Sequence, residues 1–369
     1  MSIYRSSHPI KKLWRTIIGP IDRWLLLWIS LIYLLSLLAL YSADQQHFGR
    51  LVDKLIYTVL AFGFMWLIAK SSPQLVMQFA PPLYFFGLSL LVAVHFFGVV
   101  VNGAQRWLDL HIVTLQPSEI MKSALPMMIA WYLYRIEGRR HWYHYFLAIV
   151  IIIVPSVLVL KQPDLGTACL IVMSGLLVLF FAGLSWRAIV GAVSVFLGSL
   201  PIFWHYGLLD YQKQRILSLL DSHQNLLGAG YHHHQSMIAI GSGGILGKGW
   251  KHGTQTNLDY LPERSTDFIF AVYSEEFGLI GNMILLALYL AIILRGLKIA
   301  AYAPTLYSQL LAATITLCLF LYTFVNMGMV TGIFPVVGVP LPLMSYGGTA
   351  TFMILMGQGI LMSIANQKK

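Results

Sequence analysis

Charge is scarce in this sequence. Asp, Glu, Lys and Arg make up 10% of the 369 residues, against 58% hydrophobic; a soluble globular chain is about one quarter charged. So few charges do not cover a water-facing surface of this size, which excludes the soluble-enzyme classes before any motif is read. Cysteine is scarcer still. Cys169 and Cys318 are the two present, both inside apolar runs, so there is no disulfide framework to infer and each reads as a small buried apolar residue. Acidic residues are also in deficit, 14 against 24 basic ones. In a soluble chain that imbalance points to nucleic acid. In a chain this apolar it reports orientation in a membrane, and no nucleic-acid partner is expected.

What the chain has in abundance is long apolar runs, with a mean hydropathy of +0.73. Runs of about 18–25 apolar residues read as membrane-spanning helices. They predict an all-α polytopic membrane protein with spans at 24–41, 51–70, 80–101, 117–135, 145–161, 164–183, 186–205, 267–294, 306–329 and 347–365. The first run follows basic residues, as a signal peptide would. It is longer than an h-region and no small-x-small pattern follows, so it reads as a retained span. An even count of spans returns both termini to one side. Arg5, Lys11, Lys12, Arg15, Arg23, Lys70, Arg135, Arg139, Arg140, Arg187, Arg295, Lys298, Lys368 and Lys369 fall on that side, opposed only by Asp22 and Glu137. Positive-inside bias makes it the cytoplasmic side. The whole of 1–369 reads as one membrane domain with short tails and one long outer loop, 206–266, between the seventh and eighth spans. A loop that long is uncommon unless functional or disordered; its amphipathic stretch Tyr211 to Leu220 and its glycine-rich and aromatic segments suggest partial re-entry along the membrane surface.

Ionisable groups at membrane depth are costly unless paired or wet, so each is a candidate for function. Four clusters lie at outer ends of spans. The first is Gln105-Arg106-Trp107 with Gln116-Pro117-Ser118-Glu119 and Lys122. Pro117 suits a first helical turn, Gln116 or Ser118 can cap it, and Glu119 and Lys122 share a helix face. That pair is either an ion pair pinning helices or a charged site open to an outer cavity. The second is Gln162-Pro163-Asp164-Leu165-Gly166-Thr167, where Asp164 is a helix cap or an active-site carboxylate. The third is Pro262-Glu263-Arg264-Ser265-Thr266-Asp267-Phe268, with Glu275 and Glu276 about two turns deeper. Glu263 and Asp267 share a face if the helix starts early, and a carboxylate beside cations in a partly dry cavity is what a general base needs. The fourth is Ser345-Tyr346-Gly347-Gly348-Thr349 after Pro335, Pro340 and Pro342, expected to be a broken segment lining a cavity.

Two features invite overreading. His232, His233 and His234 are consecutive, so their side chains do not converge on one ion; an exposed or interfacial loop is expected. Gly241, Gly243, Gly244, Gly247 and Gly249 lack the flanking βαβ context of a nucleotide loop. No nucleotide, haem or flavin is expected. Together, Glu119, Asp164, Glu263 and Asp267 with Arg106, Lys122, Arg215 and Arg264 suit a lipid-linked phosphate or pyrophosphate, with cations on the phosphates and a carboxylate taking a proton from an attacking hydroxyl. An ion-coupled carrier uses similar parts at the midplane; here the charges cluster near one face.

The motifs Gly103-Ala-Gln-Arg-Trp107, Gln116-Pro-Ser-Glu119 with Lys122, Gln162-Pro-Asp-Leu-Gly-Thr167, Gly241-Ser-Gly-Gly244 with Gly247-Lys-Gly-Trp250, Leu261-Pro-Glu-Arg264 with Thr266-Asp-Phe-Ile-Phe270, and Ser345-Tyr-Gly-Gly-Thr349 occur in order. By them the chain resembles the SEDS family (shape, elongation, division and sporulation) over essentially its whole length. The short tails and Pro262-Glu263-Arg264 favour the family's elongation branch over its division branch. Ser265 departs from the pattern, which commonly has His there.

The resemblance implies a peptidoglycan glycosyltransferase of the inner membrane. It would polymerise lipid II on the periplasmic face beside a class B penicillin-binding transpeptidase, with an undecaprenyl-pyrophosphate-linked glycan as the growing chain. It implies Asp267 as the catalytic carboxylate, with Glu119, Lys122 and Asp164 also needed for activity. Arg106, Lys122 and Arg215 are the candidates for steadying pyrophosphate, and Trp107, Gln116, Glu263, Thr266, Ser345 and Thr349 the other candidate substrate contacts. A divalent cation, Mg²⁺ or Mn²⁺, is part of the same expectation, with no motif that identifies its ligands. The alternatives are a lipid II flippase and a scaffold for the elongation complex.

Overall fold

The computed structural model describes residues 19–44, 48–101, 104–109, 114–137, 141–208, 212–213, 216–217, 229–258, 260–261 and 263–367. Arg215 and most of the stretch 211–220 lie outside them. Ten helices fall on the ten expected spans: α1 (Arg23–Ala43), α2 (Phe48–Lys70), α3 (Pro73–Phe97), α4 (Pro117–Arg135), α5 (Trp142–Leu160), α6 (Leu165–Phe181), α7 (Trp186–Ile202), α10 (Ile269–Ala301), α11 (Leu306–Val330) and α12 (Gly348–Asn366). Two more, α8 (Ala229–Gly243) and the single turn α9 (Thr254–Asn257), lie in the long connection before α10. Between α3 and α4 runs a small antiparallel sheet, β1 (Val99–Val101), β2 (Ala104–Asp109) and β3 (Thr114–Leu115), with β2 in the middle.

Seven of the ten are long and apolar enough to cross a bilayer. Three fall short for visible reasons. α6 and α7 are 17 residues each, and α4 carries Glu119 and Lys122 among residues buried on nearly every face. α4 is the centre of the bundle, with α3, α5, α6 and α11 against it; α12 lies along α2, and α10 packs on α1, α8 and α11. The ends are fixed locally. Asp22 accepts from the amides of Trp24 and Leu25 at the start of α1 and takes Arg295, near the end of α10, on its other oxygen. Ser72 caps α3 ahead of Pro73, and Thr305 caps α11, the usual division of labour at helix starts.

α10 is not one straight helix. Gly278 interrupts it at φ 63°, ψ −160°, a region that excludes side chains. Breaking a helix frees backbone groups that lipid cannot satisfy. The glycine-rich segment after α8 satisfies them. Leu279 and Ile280 amides donate to the carbonyls of Gly244 and Ile245, and Lys248 and Gly249 amides donate to those of Glu275 and Glu276. The two backbones lie so close that a Cβ on Gly278 would stand 2.3 Å from the Gly247 amide nitrogen. Within the glycine cluster that packing accounts for Gly243 and Gly247, where a Cβ would stand 2.2 Å from Ser274 O and 2.1 Å from Glu276 O.

The three histidines correct the expectation of a loop: they lie on α8, and His233 is buried against Gly332. Burial pushes its imidazole below the ordinary value of 6.5, partly offset by a hydrogen bond with the Met329 backbone. Both cysteines are free, Cys169 exposed and Cys318 buried.

Candidate active site at the starts of four helices

The starts of α4, α6, α10 and α12 meet around the segment 331–347 that joins α11 to α12. Helix starts carry unpaired amide donors and the positive end of the helix dipole, so their convergence suits an anionic group.

Asp267 sits in the turn ahead of α10, two residues before the helix begins at Ile269. The early helix start under which Glu263 and Asp267 would share a face is not present: 263–268 is a run of turns. The reason is local. Glu263 takes a left-handed φ of 51°, and its carbonyl accepts from the amides of Thr266 and Phe268, which closes the turn. The Thr266 hydroxyl donates to the Glu263 carboxylate at 3.0 Å; Glu263 itself is exposed and Asp267 half-buried.

Three consecutive carbonyls of this turn are held by donors from elsewhere. Ser265 O accepts from the Tyr346 amide at 2.9 Å. Thr266 O accepts from Ser345 Oγ at 2.6 Å. Asp267 O accepts from Asn326 Nδ2 at 2.9 Å, and the same amide group donates to Val339 O at 2.6 Å. Ser345 thus acts on the backbone of the turn, and its Oγ also accepts the Leu341 amide. Above the carboxylate lies Gly338, where a Cβ would stand 3.6 Å from Asp267 Oδ2. Thr349 is half-buried on the first turn of α12.

Of the two roles expected of Asp164, the structure shows the cap. Its carboxylate caps α6 by accepting the Thr167 amide at 3.1 Å, and the Arg106 guanidinium stands 3.7 Å away. Arg106, on β2, also donates to the carbonyls of Gln162 and Pro163, so this cation is committed to the loop it clamps, with about a quarter of its side chain exposed. Trp107 is its half-buried neighbour on the strand. Gly166 brings α6 against the joining segment, where a Cβ would stand 2.6 Å from Val337 O.

Glu119 and Lys122 form an ion pair at 2.5 Å, both side chains more than nine-tenths buried. Lys122 also lies 5.1 Å over the Tyr322 ring of α11. The pair lines a cavity between α4, α11 and α12 that Val339, Pro340 and Pro342 close from the joining segment. Gln116 occupies the cap position of α4, but of the two residues expected to cap it this one makes no side-chain cap hydrogen bond; its carbonyl takes the Glu119 amide. Glu275 belongs elsewhere. Fully buried, it accepts from Lys248 Nζ at 2.6 Å and from the Thr254 amide at 2.8 Å, anchoring the segment that covers the α10 break.

Asn326 and Lys54 are functional candidates that the motifs do not contain. Each is a polar side chain inside an otherwise apolar run, and that alone is a usable signal. Tyr346, which the last motif does contain, has its phenol pushed above the ordinary value by burial, then by the neighbouring Asp53 charge, against the opposing pull of Arg50.

The family model of the FtsW/RodA/SpoVE cell cycle proteins matches residues 20–369. The peptidoglycan glycosyltransferase MrdB of Escherichia coli K12 is 49% identical over 349 residues, covering 95% of this chain and 94% of that protein. MrdB of Helicobacter pylori 26695 is 37% identical over 82% of this chain and 80% of its own length. Among solved structures, a chain of a peptidoglycan synthase complex that coordinates polymerization and crosslinking superposes with a TM-score of 0.82, at 29% identity, over 94% of this chain and 98% of that one. The rod shape determining protein RodA of Thermus thermophilus gives 0.70 at 27% identity, over 93% and 96%.

Proposed function

This chain belongs to the FtsW/RodA/SpoVE family, and from that premise we propose that it is a peptidoglycan glycosyltransferase of cell elongation that polymerises lipid II at the outer face of the inner membrane. Asp267 is the general base. It takes the proton from the 4-hydroxyl of the acceptor sugar as that oxygen bonds to the anomeric carbon of the growing chain. The bond from that carbon to undecaprenyl pyrophosphate breaks, the lipid diphosphate leaves, and the carbon is inverted.

The observation that carries this reading is the hold on the Asp267 turn, whose three carbonyls are taken by Tyr346, Ser345 and Asn326. A base must be held in reach of the proton it removes, and the backbone that carries this carboxylate is held from α11 and from the joining segment at once. Asp164 and Arg106 form a second charged site at the start of α6, and the Glu119–Lys122 pair a third at the cavity; both are proposed to orient the lipid-linked substrate.

Among the described residues, no three His, Cys, Asp or Glu side chains come together as a metal site. The described residues by themselves form no resident metal centre. Mg²⁺ or Mn²⁺ would belong with the diphosphate, since such ions bind through one or two carboxylates plus substrate phosphates.

The working partner is a class B penicillin-binding transpeptidase, in keeping with the synthase complex that this chain resembles. The distribution of basic residues supports a topology with both termini in the cytoplasm. The test is polymerisation of labelled lipid II by the purified protein with its transpeptidase. A glycan ladder lost in Asp267→Asn supports the reading. Protein-dependent movement of lipid II across sealed vesicles with no ladder replaces it with transport.

A further inference from the structure

Lys54 is a buried cation that the chemistry above does not use. It lies on α2 inside an apolar span, 2% exposed. An ammonium group has three donors, and here each has an acceptor: Ser36 Oγ on α1, Met344 O and Ser345 O. All three acceptors are neutral, and among the described residues no carboxylate pairs with Nζ. Burying an ammonium ion without a counter-charge is expensive, so an ordinary helix contact does not call for it.

What it touches gives the reason. Met344 and Ser345 belong to the segment that holds the Asp267 turn. Ser36 Oγ donates to Met344 O as well, at 2.7 Å, so the Met344 carbonyl is gripped by two helices. From there Ser345 Oγ reaches Thr266 O, and the next amide, Tyr346 N, reaches Ser265 O. One turn earlier on α2, Arg50 donates to Ser265 Oγ at 3.3 Å. A continuous strut of hydrogen bonds therefore runs from α1 and α2 to the backbone on which Asp267 is carried. Charge-assisted bonds are about twice as strong as neutral ones, and an ammonium is the one common side chain that grips three acceptors from a single atom.

We infer that Lys54 is a positioning residue for Asp267, setting its carboxylate through Met344 and Ser345 without touching substrate. This rests on the glycosyltransferase reading of the site. Lys54 then contributes to the rate of transfer and hardly at all to substrate affinity.

The experiment compares wild type, Lys54→Met, Ser345→Ala, the double variant and Asp267→Asn, each full-length with the transpeptidase. Lipid II polymerisation is normalised to the number of molecules that bind labelled lipid II. Positioning predicts that Lys54→Met lowers kcat by about 100-fold, the order of loss that misplacement by an ångström brings, with KM within about twofold of wild type. Ser345→Ala leaves Lys54 and its three acceptors in place and cuts the strut one bond later; it is predicted to lower kcat likewise. Because both act through one strut, the double variant is predicted to lose no more than the worse single one.

A merely structural lysine would lower the melting temperature and the count of binding-competent molecules, and leave kcat per binding molecule at the wild-type value; that result overturns the inference. So does a double variant whose loss is the product of the two single losses. If Lys54→Met is not recovered folded, Ser345→Ala decides alone, and a wild-type kcat there overturns it. Asp267→Asn keeps the two claims apart: a ladder that survives in it defeats the base assignment, whereas a ladder lost in it but normal in Lys54→Met defeats only the positioning role.

Discussion

Asn326 Nδ2 on α11 donates to two carbonyls at once, Asp267 O at 2.9 Å and Val339 O at 2.6 Å. One side-chain amide thus locks the turn before α10 to the segment before α12. Replacing it by Asp exchanges a donor for a negatively charged acceptor opposite two carbonyl oxygens. Asn326→Asp is expected to destabilise the protein by about 3 kcal/mol and to abolish polymerisation. Thermal unfolding in detergent and the lipid II gel assay read the two effects separately.

The buried pair Glu119–Lys122 permits a sharper test than either single variant. Removing one partner leaves an uncompensated charge in an apolar site, at about 3–5 kcal/mol. The double variant Glu119→Gln with Lys122→Met removes both charges and is expected to regain most of that stability. If the pair acts on substrate, activity stays absent in the stable double variant. Recovered activity would make the pair a structural pin.

Gly278→Ala and Gly241→Ala are expected to have opposite signs. At Gly278 the backbone stands where side chains are excluded and a Cβ would meet the Gly247 nitrogen at 2.3 Å; the loss is about 2–3 kcal/mol. Gly241 lies on α8 with open space around it, so alanine there gains up to about 1 kcal/mol of helix propensity. Melting temperatures of the two purified variants check the pair.

His233 gives a pH dependence of defined sign. Its folded form resists protonation because it is buried, while the unfolded chain binds a proton at the ordinary value near 6.5. Stability is therefore full above that value and falls as the pH drops below it, since the unfolded state then holds the extra proton. His233→Gln is expected to flatten the melting temperature between pH 5 and about pH 7 relative to wild type.

The spans were legible because each is a long apolar run, and even the short break Lys161-Gln162-Pro163 between α5 and α6 was placed correctly by its polar composition. Glu119 with Lys122, and Asp164 as a cap, followed from helical spacing and from the preference of Asp for helix starts. What the sequence could not give was the turn before α10. Whether 263–268 is helical depends on the left-handed Glu263 and on donors from residues 326, 345 and 346, contacts 59 to about 80 positions away that no local pattern contains. The same holds for Arg106: its basic charge suggested phosphate, but its partners are two carbonyls and Asp164. Lys54 stands as a charge inside an apolar run but belongs to none of the four clusters singled out, and the loop that it grips is nearly 300 positions away.

The central claim is that the carboxylate of Asp267 removes the acceptor proton. The most direct measurement is polymerisation of labelled lipid II by purified Asp267→Asn beside wild type, with lipid II binding measured on the same preparations. The account predicts equal binding and no glycan ladder from the variant. Near-wild-type polymer from a variant that lacks the carboxylate would contradict it.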